Sequence, residues 1–543
     1  MSRSPAPGLW VEPPAARKRW VRRPKLSLVP VPRSEPGSAL TIALVVAVGV
    51  GAAALRLWQI DRFGFNSDEA VYAGQGAAIA GVPELGDIFP IFRAHPLLFQ
   101  LLISVLYRSA VSDVTPRILA VVFAVGTVAA VYALGRLLYG RSVGIVAALL
   151  VAVVPYHVIV SRQALLDGPM TFFATCTLYL VARYVITQRA ATIYAAAAAM
   201  GLTVLTKESG ILYVSAVYAF FALTTECRLP VRRIVIALAI LGLVVLPFPM
   251  SLLLGGGAET GKGYLVWQLF REPNHSWEFY LVEVPKAVGP LVLIAAALWL
   301  REVRGSWTWR ETLLVCWILA PLLFFQLWPV KGYQYPLPIV TPLAVLGAAY
   351  LVTLLDRARG RSRVAHLRAW GTLAIVVATL VATSWSVVGE ESAGELLAGT
   401  GGVPGGREVG DWIDEHTPEG SVFMTVGPSM ANLIKFYGRR DAFGLSVSPN
   451  PLHRNPSYEP LHNPDLQLRN NELQYIVWDA YSASRSLFFS DRLLRYVDLY
   501  NGHVVFSFTV PVDAADGSQV DRAVIVLYEV RPTLRTTQEG EED

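Results

Sequence analysis

Long apolar stretches alternate with short basic loops over most of the chain. Stretches of about 17 to 25 apolar residues are typical of transmembrane helices, because that length crosses the hydrocarbon core of a bilayer. The pattern therefore predicts a polytopic α-helical membrane protein with about 11 transmembrane helices. The predicted spans lie near residues 38–59, 116–136, 142–160, 168–187, 190–206, 210–226, 233–254, 281–300, 311–329, 333–354 and 369–388.

One further apolar segment, residues 96–112, is left out of this count. Cytoplasmic loops are enriched in Lys and Arg. If 96–112 crossed the membrane, the loop that carries Arg136 and Arg141 would move outside and the later charge pattern would invert. We therefore expect an interfacial or re-entrant helix within a long outer loop, 60–115. A spanning 96–112, with another span lost, is the alternative.

The regions outside the predicted spans differ in composition. Residues 1–37 form a Pro- and Arg-rich tail, which we expect to be disordered and cytoplasmic. The transmembrane domain, 38–389, is followed by a Gly-rich linker, 390–406. Residues 407–535 alternate helical and strand patterns, which predict a small extracytoplasmic α/β domain. The acidic residues 536–543 predict a disordered tail.

A loop at 445–470 within the C-terminal domain is rich in Pro, Asn and His. We interpret it as a surface loop, with a glycan-binding or lid role as the alternative.

The composition supports a membrane protein, because 54% of the residues are hydrophobic and only 16% are charged. The basic residues lie in short clusters between apolar runs, so a nucleic-acid partner is not expected. Cys176, Cys227 and Cys316 lie in or beside apolar segments, and their spacing predicts neither a disulfide framework nor a metal site. Membrane lipids are the expected surroundings of the chain.

An acidic pair, Asp68 and Glu69, directly follows the first predicted span. Adjacent carboxylates at a membrane face are costly to place there without a use. A carboxylate can act as a general base, so the pair makes the chain a candidate enzyme. A second cluster places Arg162 five residues before Asp167. Arginine suits phosphate, because its planar fork donates in parallel pairs; a surface salt bridge with a helix N-cap is the alternative.

Other polar residues occupy the remaining predicted outer loops: Arg93 and His95, Lys207, Arg271 and His275, and Lys331 and Tyr335. Lys207 and Lys331 are exceptions to the positive-inside pattern. Both lie between closely spaced spans on the predicted face of the acidic pair. They therefore indicate an anion site on the outer face.

The order of these motifs resembles the GT-C superfamily of integral membrane glycosyltransferases. Its most similar branch is that of the protein O-mannosyltransferases and aminoarabinose transferases, often called glycosyltransferase family 39. The resemblance rests on the acidic pair, on Arg162 with Asp167, on an outer Lys and on the segment Lys331-Gly332-Tyr333-Gln334-Tyr335. It covers about residues 38–350 and leaves the C-terminal domain outside.

The resemblance implies a glycosyltransferase that moves a hexosyl or pentosyl group from a polyprenyl-phosphate donor. The acceptor would be a hydroxyl of a protein, a lipid or a cell-wall glycan at the extracytoplasmic face, and the anomeric carbon would be inverted. Asp68 would be the general base, and Glu69 and Asp167 would be the other acidic residues of the site.

The resemblance also implies which residues meet the donor. The residues expected to bind the donor or its phosphate are Arg162, Lys207, Arg271, His275, Lys331 and Tyr335. Arg93 and His95 are further candidates, and His95 stands before Pro96 where relatives often have Lys before Pro. The cations could suffice without a metal, although Asp68 and Asp167 could share a divalent ion.

Two other classes of protein stay open on the sequence. A polytopic transporter or lipid-glycan flippase would carry charges in the middle of its spans. A non-catalytic membrane scaffold would use the outer domain to bind partners, but it would leave Asp68 and Asp167 without a role.

Overall fold

The computed structural model describes residues 39–89, 91, 95–254, 258–398, 400–513 and 516–532. Arg93 and the tails predicted at 1–37 and 536–543 lie outside these residues. Up to residue 388 the described chain is mostly helical. Its helices are α1 (Ala39–Leu57), α2 (Ser67–Ala80), α3 (Pro83–Gly86), α4 (Leu98–Tyr107), α5 (Val114–Tyr139), α6 (Arg141–Val153), α7 (Pro155–Ser161), α8 (Asp167–Thr187), α9 (Ala190–Thr206), α10 (Leu212–Leu223), α11 (Val231–Val245), α12 (Pro247–Leu254), α13 (Ala258–Leu269), α14 (Phe279–Val288), α15 (Pro290–Glu302), α16 (Trp309–Leu327), α17 (Val340–Ala358) and α18 (Arg363–Val388).

Each of the 11 predicted spans coincides with helical structure. Among the described residues, six helices are long and apolar enough to cross a membrane. Three further pairs of consecutive helices are each separated by a bend, and the number of spans rises to nine if each of these pairs counts as one span. The segments 190–206 and 208–223 are apolar but shorter. The polytopic helical architecture is therefore confirmed, and the count of 11 stays a prediction.

Three of the predicted spans are bent. The angle is 56° between α6 and α7, 43° between α11 and α12, and 95° between α14 and the helix that begins at Pro290. Each second helix begins with proline, which lacks a backbone N–H and clashes with the preceding turn. The spans predicted at 142–160, 233–254 and 281–300 therefore each correspond to a bent pair of helices.

The segment excluded from the predicted spans, 96–112, contains the ten-residue helix α4. A helix of that length extends about 15 Å, roughly half of the hydrocarbon core of a bilayer. Its length agrees with the predicted interfacial or re-entrant position.

The membrane helices differ in how much of their surface other helices cover. In the helix that contains α17, 83% of the most apolar 18-residue stretch is buried inside the protein. The corresponding share is only 17% in α1 and 28% in α18. The exposed side chains of α1 include Leu40, Ile42 and Val50. Large exposed apolar faces of this kind mark contact with a membrane. The helix α17 is therefore central, and α1 and α18 lie at the lipid-facing periphery.

The C-terminal part folds around a five-stranded sheet in the order β2-β1-β3-β5-β4. Strands β1, β2 and β3 are parallel, and β5 runs antiparallel to both β3 and β4. Strand β2, α21 and α22 were not predicted, but the mixture of helices and strands agrees with the sequence pattern. The elements are α19 (Gly406–His416), β1 (Val422–Thr425), α20 (Pro428–Tyr437), β2 (Asp441–Gly444), α21 (Pro464–Arg469), β3 (Tyr475–Asp479), α22 (Ala480–Arg485), α23 (Leu487–Leu499), β4 (His503–Asp513) and β5 (Gln519–Glu529).

The C-terminal domain packs directly on α2 through α20. The Asn432 side-chain amide donates to Ser67 Oγ over 2.9 Å. The Tyr437 hydroxyl accepts from the backbone N–H of Phe65 at 2.8 Å and donates to Asp113 at 2.9 Å. These bonds hold the helix with the acidic pair between the membrane helices and the C-terminal domain.

Candidate active site

A capping box sets the position of the acidic pair. The Asn66 side chain accepts from the backbone N–H of Glu69 at 3.0 Å, and the Glu69 carboxylate accepts from the backbone N–H of Asn66 at 3.0 Å. Such reciprocal bonds satisfy donors that the first turn of a helix leaves open. Asp68 is thereby fixed in the first turn of α2, where the helix dipole favours a carboxylate.

The two carboxylates of the pair have different surroundings. Glu69 is only 1% exposed, and Arg117 donates from Nε and Nη2 to its two oxygens, each over 2.8 Å. The backbone N–H of Ala164 donates to the same carboxylate at 2.8 Å. Arg117 also donates to the carbonyl groups of Phe63 and Gly64. These contacts favour a supporting role for Glu69 over the catalytic role that the sequence predicted.

Asp68, by contrast, opens into a cavity of 520 Å³ between α2 and the C-terminal domain. Within the described part of the chain, no hydrogen bond or salt bridge engages its carboxylate. The Asp68 side chain is exposed to this cavity, but the protein around it desolvates the carboxylate, which raises the pKa of Asp68 although the charges of Lys207 and His95 act to lower it. An unengaged carboxylate with a raised pKa is suited to accept a proton.

Asp167 is the first residue of α8 and is buried. The Lys207 ammonium donates to its two carboxylate oxygens, at 2.8 and 2.9 Å. Lys207 directly follows α9 and also lies over the ring of Tyr335, with Nζ 4.8 Å from the ring centroid. Residues from three separate segments therefore meet at one point, and the Lys207 charge acts on Asp68 as well.

His95 joins the same neighbourhood through a different acid. Its Nδ1 lies 2.9 Å from Glu208 Oε2, and its Nε2 lies 3.4 Å from the Tyr264 hydroxyl. Burial alone would lower the pKa of His95, but the Glu208 carboxylate raises it above the usual value. When the imidazole is protonated, its charge acts on Asp68 in the same sense as that of Lys207.

Arg271 completes the group of cations that act on Asp68. Its guanidinium stacks over the Trp267 ring, 4.5 Å from the centroid, and its charge also acts on the Tyr335 hydroxyl. Asp68, Asp167, Lys207, Arg271 and Tyr335, which the sequence predicted from separate loops, are thus electrostatic neighbours in the folded chain.

Three of the predicted donor-binding residues have other contacts. Arg162 donates to the carbonyl groups of Leu55 and Arg56 at the end of α1. Lys331 donates to the carbonyl groups at 326 and 328, at the end of α16, each over 3.0 Å. His275 is exposed and stacks on Phe279, with the ring centroids 4.1 Å apart. None of the three is among the charges that act on Asp68, and their contacts favour roles at helix ends or at the surface.

A shared divalent ion is not needed to offset the charge of Asp167, because Lys207 already contacts both of its oxygens. An ion bridging Asp68 and Asp167 would have to displace this pair. Among the described residues, no group of three or more His, Cys, Asp or Glu side chains is placed to hold a metal ion.

Sequence reasoning missed two contributors to this region. Arg117 stands at the start of an apolar stretch, where a single arginine looks like an interfacial anchor; its partner Glu69 lies 48 positions earlier. Tyr458 comes from the loop interpreted as a surface loop, and it lines the cavity beside Asp68. The surface-loop interpretation of 445–470 and its alternative, a glycan-binding or lid role, are both compatible with this position and stay predictions.

Residues 94–252 match the family model of the dolichyl-phosphate-mannose-protein mannosyltransferases. A similar protein is the undecaprenyl phosphate-alpha-4-amino-4-deoxy-L-arabinose arabinosyl transferase of Aeromonas salmonicida, which is 28% identical over 277 residues. This alignment covers 43% of the chain and 50% of that relative. The Aeromonas hydrophila enzyme of the same name is 37% identical over 123 residues, 20% of the chain and 22% of the relative. The chain thus spans half or less of these relatives.

Solved structures extend the likeness to the whole fold. ArnT from Cupriavidus metallidurans, bound to undecaprenyl phosphate, superposes with a TM-score of 0.67 at 16% identity, over 90% of this chain and 98% of that one. The archaeal oligosaccharyltransferase AglB from Archaeoglobus fulgidus, in complex with an inhibitory peptide and a dolichol-phosphate, gives 0.61 at 13% identity, over 89% and 74%.

The fold and the matched segment place the chain in a class: it is a multi-pass membrane protein with the fold of ArnT and AglB. Within that class it carries a segment of the mannosyltransferase family and shares sequence with the aminoarabinose transferases. The resemblance predicted from the order of the motifs is confirmed.

Proposed function

We propose that the protein is a glycosyltransferase that moves a sugar from a polyprenyl-phosphate donor to an acceptor hydroxyl at the extracytoplasmic face of the cell membrane. The observation that carries the proposal is the position of the Asp68 carboxylate. Among the described residues it has no hydrogen bond or salt bridge, and it is close enough to Lys207 and Arg271 for their charges to act on it. The lipid named in the ArnT structure, undecaprenyl phosphate, supports a donor of this chemistry.

In the proposed reaction, Asp68 takes the proton of the acceptor hydroxyl as its oxygen attacks the anomeric carbon of the donor. The bond between that carbon and the phosphate oxygen breaks, and its electron pair leaves with the phosphate. A single displacement of this kind inverts the anomeric carbon. The leaving phosphate gathers negative charge, and cations fixed in advance stabilise it without having to reorganise. Arg271 and Lys207 are suited to this task.

The remaining residues of the predicted site support these three. Glu69 and Arg117 fix the start of α2, which carries Asp68, and Asp167 holds Lys207 in place. Tyr335 lies under the Lys207 ammonium, where it limits the positions open to that side chain. Hexosyl and pentosyl donors, and protein, lipid and cell-wall acceptors, all remain compatible with this chemistry.

The positions of the buried charges favour this proposal over a transporter or flippase. Among the described residues up to 389, the buried Asp, Glu, Lys and Arg side chains occupy the first or last turn of a helix or a loop. They are Arg56, Glu69, Arg117, Arg162, Asp167, Lys207, Glu311 and Lys331. A conduction path would instead place such charges along the middle of the spans.

The direct test supplies the purified protein with a panel of polyprenyl-phosphate sugars and a membrane extract as the source of acceptors. We expect release of polyprenyl phosphate and transfer of labelled sugar from at least one donor, and none from the matching nucleotide sugars. Transport of an intact lipid-linked sugar across vesicles, without cleavage of its phosphate bond, would contradict the proposal and favour a flippase.

A further inference from the structure

The cavity above Asp68 has two walls of different origin. One wall comes from α2 and the loop after it, with Asp68, Tyr72 and Asp87; the other comes from the C-terminal domain. From that domain α20 contributes Asn432 and Lys435, and other segments contribute Asp441, Phe443, Asn455, Tyr458 and Glu459. At 520 Å³ the cavity is within the range of ligand-binding pockets.

Lys207 and Arg271 are not among the residues that line this cavity, whereas Asp68 is. In a displacement with inversion, the attacking oxygen and the leaving phosphate lie on opposite sides of the anomeric carbon. The base must reach the attacking oxygen, and the cations must reach the phosphate. If the phosphate lies towards Lys207 and Arg271, the space on the other side of Asp68 is the place for the acceptor.

The charge of the cavity limits what this acceptor can be. Four carboxylates line it, from Asp68, Asp87, Asp441 and Glu459. Among the described residues, the cations in its lining are His95, which is paired with Glu208, and Lys435. Asp441 and Glu459 act on the Lys435 amine and offset its charge. A phosphate-bearing acceptor would meet like charges, which disfavour binding.

The uncharged groups of the cavity suit a carbohydrate. Rings from Tyr72, Phe443 and Tyr458 offer apolar faces against which the C–H face of a sugar can pack, and the two tyrosines add a hydroxyl. The Asn455 side-chain oxygen already accepts from Ser457, but its NH2 group can donate to a sugar hydroxyl. Lys435 lies over the Phe443 ring, 5.3 Å from the centroid, and can donate to a sugar oxygen from there.

We propose that the cavity between α2 and the C-terminal domain binds the acceptor, and that this acceptor is a neutral saccharide rather than a phosphate-bearing glycan or lipid. The inference rests on the proposed function, because the acceptor is defined by the transfer reaction. It assigns the C-terminal domain, through Lys435, Phe443 and Tyr458, a part in acceptor specificity.

The test measures glycan binding by the full-length protein in detergent without any donor, on a panel of neutral oligosaccharides and their phosphorylated counterparts. We expect neutral members to bind at least about tenfold more tightly than their phosphorylated counterparts. Lys435→Met should weaken the binding of neutral glycans by about tenfold. Arg439→Met is the matched control: Arg439 lies just after the same helix, outside the cavity, and should leave binding unchanged.

A second variant acts in the opposite direction and keeps the proposal testable if Lys435→Met fails to fold. The double change Asp441→Asn with Glu459→Gln removes two negative charges, so it should improve the binding of phosphorylated glycans and leave that of neutral glycans nearly unchanged. Equal or tighter binding of phosphorylated glycans by the unaltered protein, or no binding of any neutral glycan, would overturn the inference. Because no donor is present, these outcomes are independent of whether any polyprenyl-phosphate sugar is cleaved, which tests the proposed function.

Discussion

The Lys207 ammonium contacts both carboxylate oxygens of Asp167, at 2.8 and 2.9 Å, and both side chains are buried. Asp167 begins α8 and Lys207 follows α9, 40 positions apart in the sequence. The pair positions a cation that also acts on Asp68. In the proposed reaction its two members have different tasks: Lys207 would meet the donor's phosphate, and Asp167 holds Lys207 in place.

Replacement of Lys207 separates these tasks. Lys207→Met should reduce transfer by about 10²–10³-fold, because a charge facing the leaving phosphate is lost, and should destabilise the fold by roughly 3–5 kcal/mol, because Asp167 is left buried and unpaired. Adding Asp167→Asn should restore most of the stability but not the transfer. Thermal unfolding in detergent and a transfer assay measure the two effects. The control is Lys262→Met, at an exposed lysine of α13; recovery of transfer in the double variant would contradict the assignment.

Arg117 and Glu69 should behave as a structural unit. Arg117→Met leaves the Glu69 carboxylate buried without its ion pair, so the free energy of unfolding should fall by roughly 3–5 kcal/mol. The double variant with Glu69→Gln should recover a large part of that loss, because no uncompensated charge remains. Denaturant titration followed by tryptophan fluorescence measures the change. Additive losses in the double variant would show that the two side chains do not act together.

The pH profile of transfer should have an acid limb that belongs to Asp68. A general base acts only in its ionised form, and burial raises the pKa of Asp68. As pH falls through that pKa, kcat/KM should decline, with a midpoint above the value of about 3.9 for an unperturbed Asp. His95→Gln should move the midpoint upward, because a charge that favours ionised Asp68 is removed. An acid limb at or below the unperturbed value, or a shift downward in His95→Gln, would speak against this role.

Arg271 should contribute to the binding of the donor rather than to folding. A charge-assisted hydrogen bond to phosphate contributes about 1.5–3 kcal/mol, so Arg271→Met should raise KM for the donor roughly 10- to 150-fold. Thermal stability should change little, since the guanidinium stacks on Trp267 at a partly exposed site. Arg492→Met, at an exposed arginine of α23, is the matched control. An unchanged KM for the donor in Arg271→Met would remove Arg271 from the phosphate site.

Local patterns accounted for the apolar helices but not for α2, because the sequence analysis placed the acidic pair in an outer loop. The spacing of Asn66 and Glu69 is that of a capping box, and this signal could have shown that the pair opens a helix. Prolines 155, 247 and 290 marked the bends as well, but apolar length dominated the prediction of spans. Strand β2 was missed because four residues carry too little alternation to stand out.

The assembly of the site depended on contacts that no local pattern encodes. Lys207 and Lys331 had the same signature, an isolated outer lysine, yet Lys207 pairs with Asp167 and Lys331 caps α16. Arg162 looked like a phosphate ligand, and in the fold it bonds to carbonyl groups at the end of α1. The contribution of the C-terminal domain to the cavity was also hidden, because packing of α20 on α2 joins segments more than 360 positions apart.

The most direct measurement compares transfer by three variants of equal stability: Asp68→Asn, Glu69→Gln in a background that keeps it folded, and the control Asp61→Asn at an exposed position before α2. The account predicts that Asp68→Asn keeps the unfolding temperature and loses about 10²–10⁴-fold in kcat, while Asp61→Asn retains full activity and folded Glu69→Gln retains most of it. Full activity in Asp68→Asn, with an inactive but folded Glu69→Gln, would move the base to Glu69. Full activity in both would contradict the glycosyltransferase mechanism proposed for this protein.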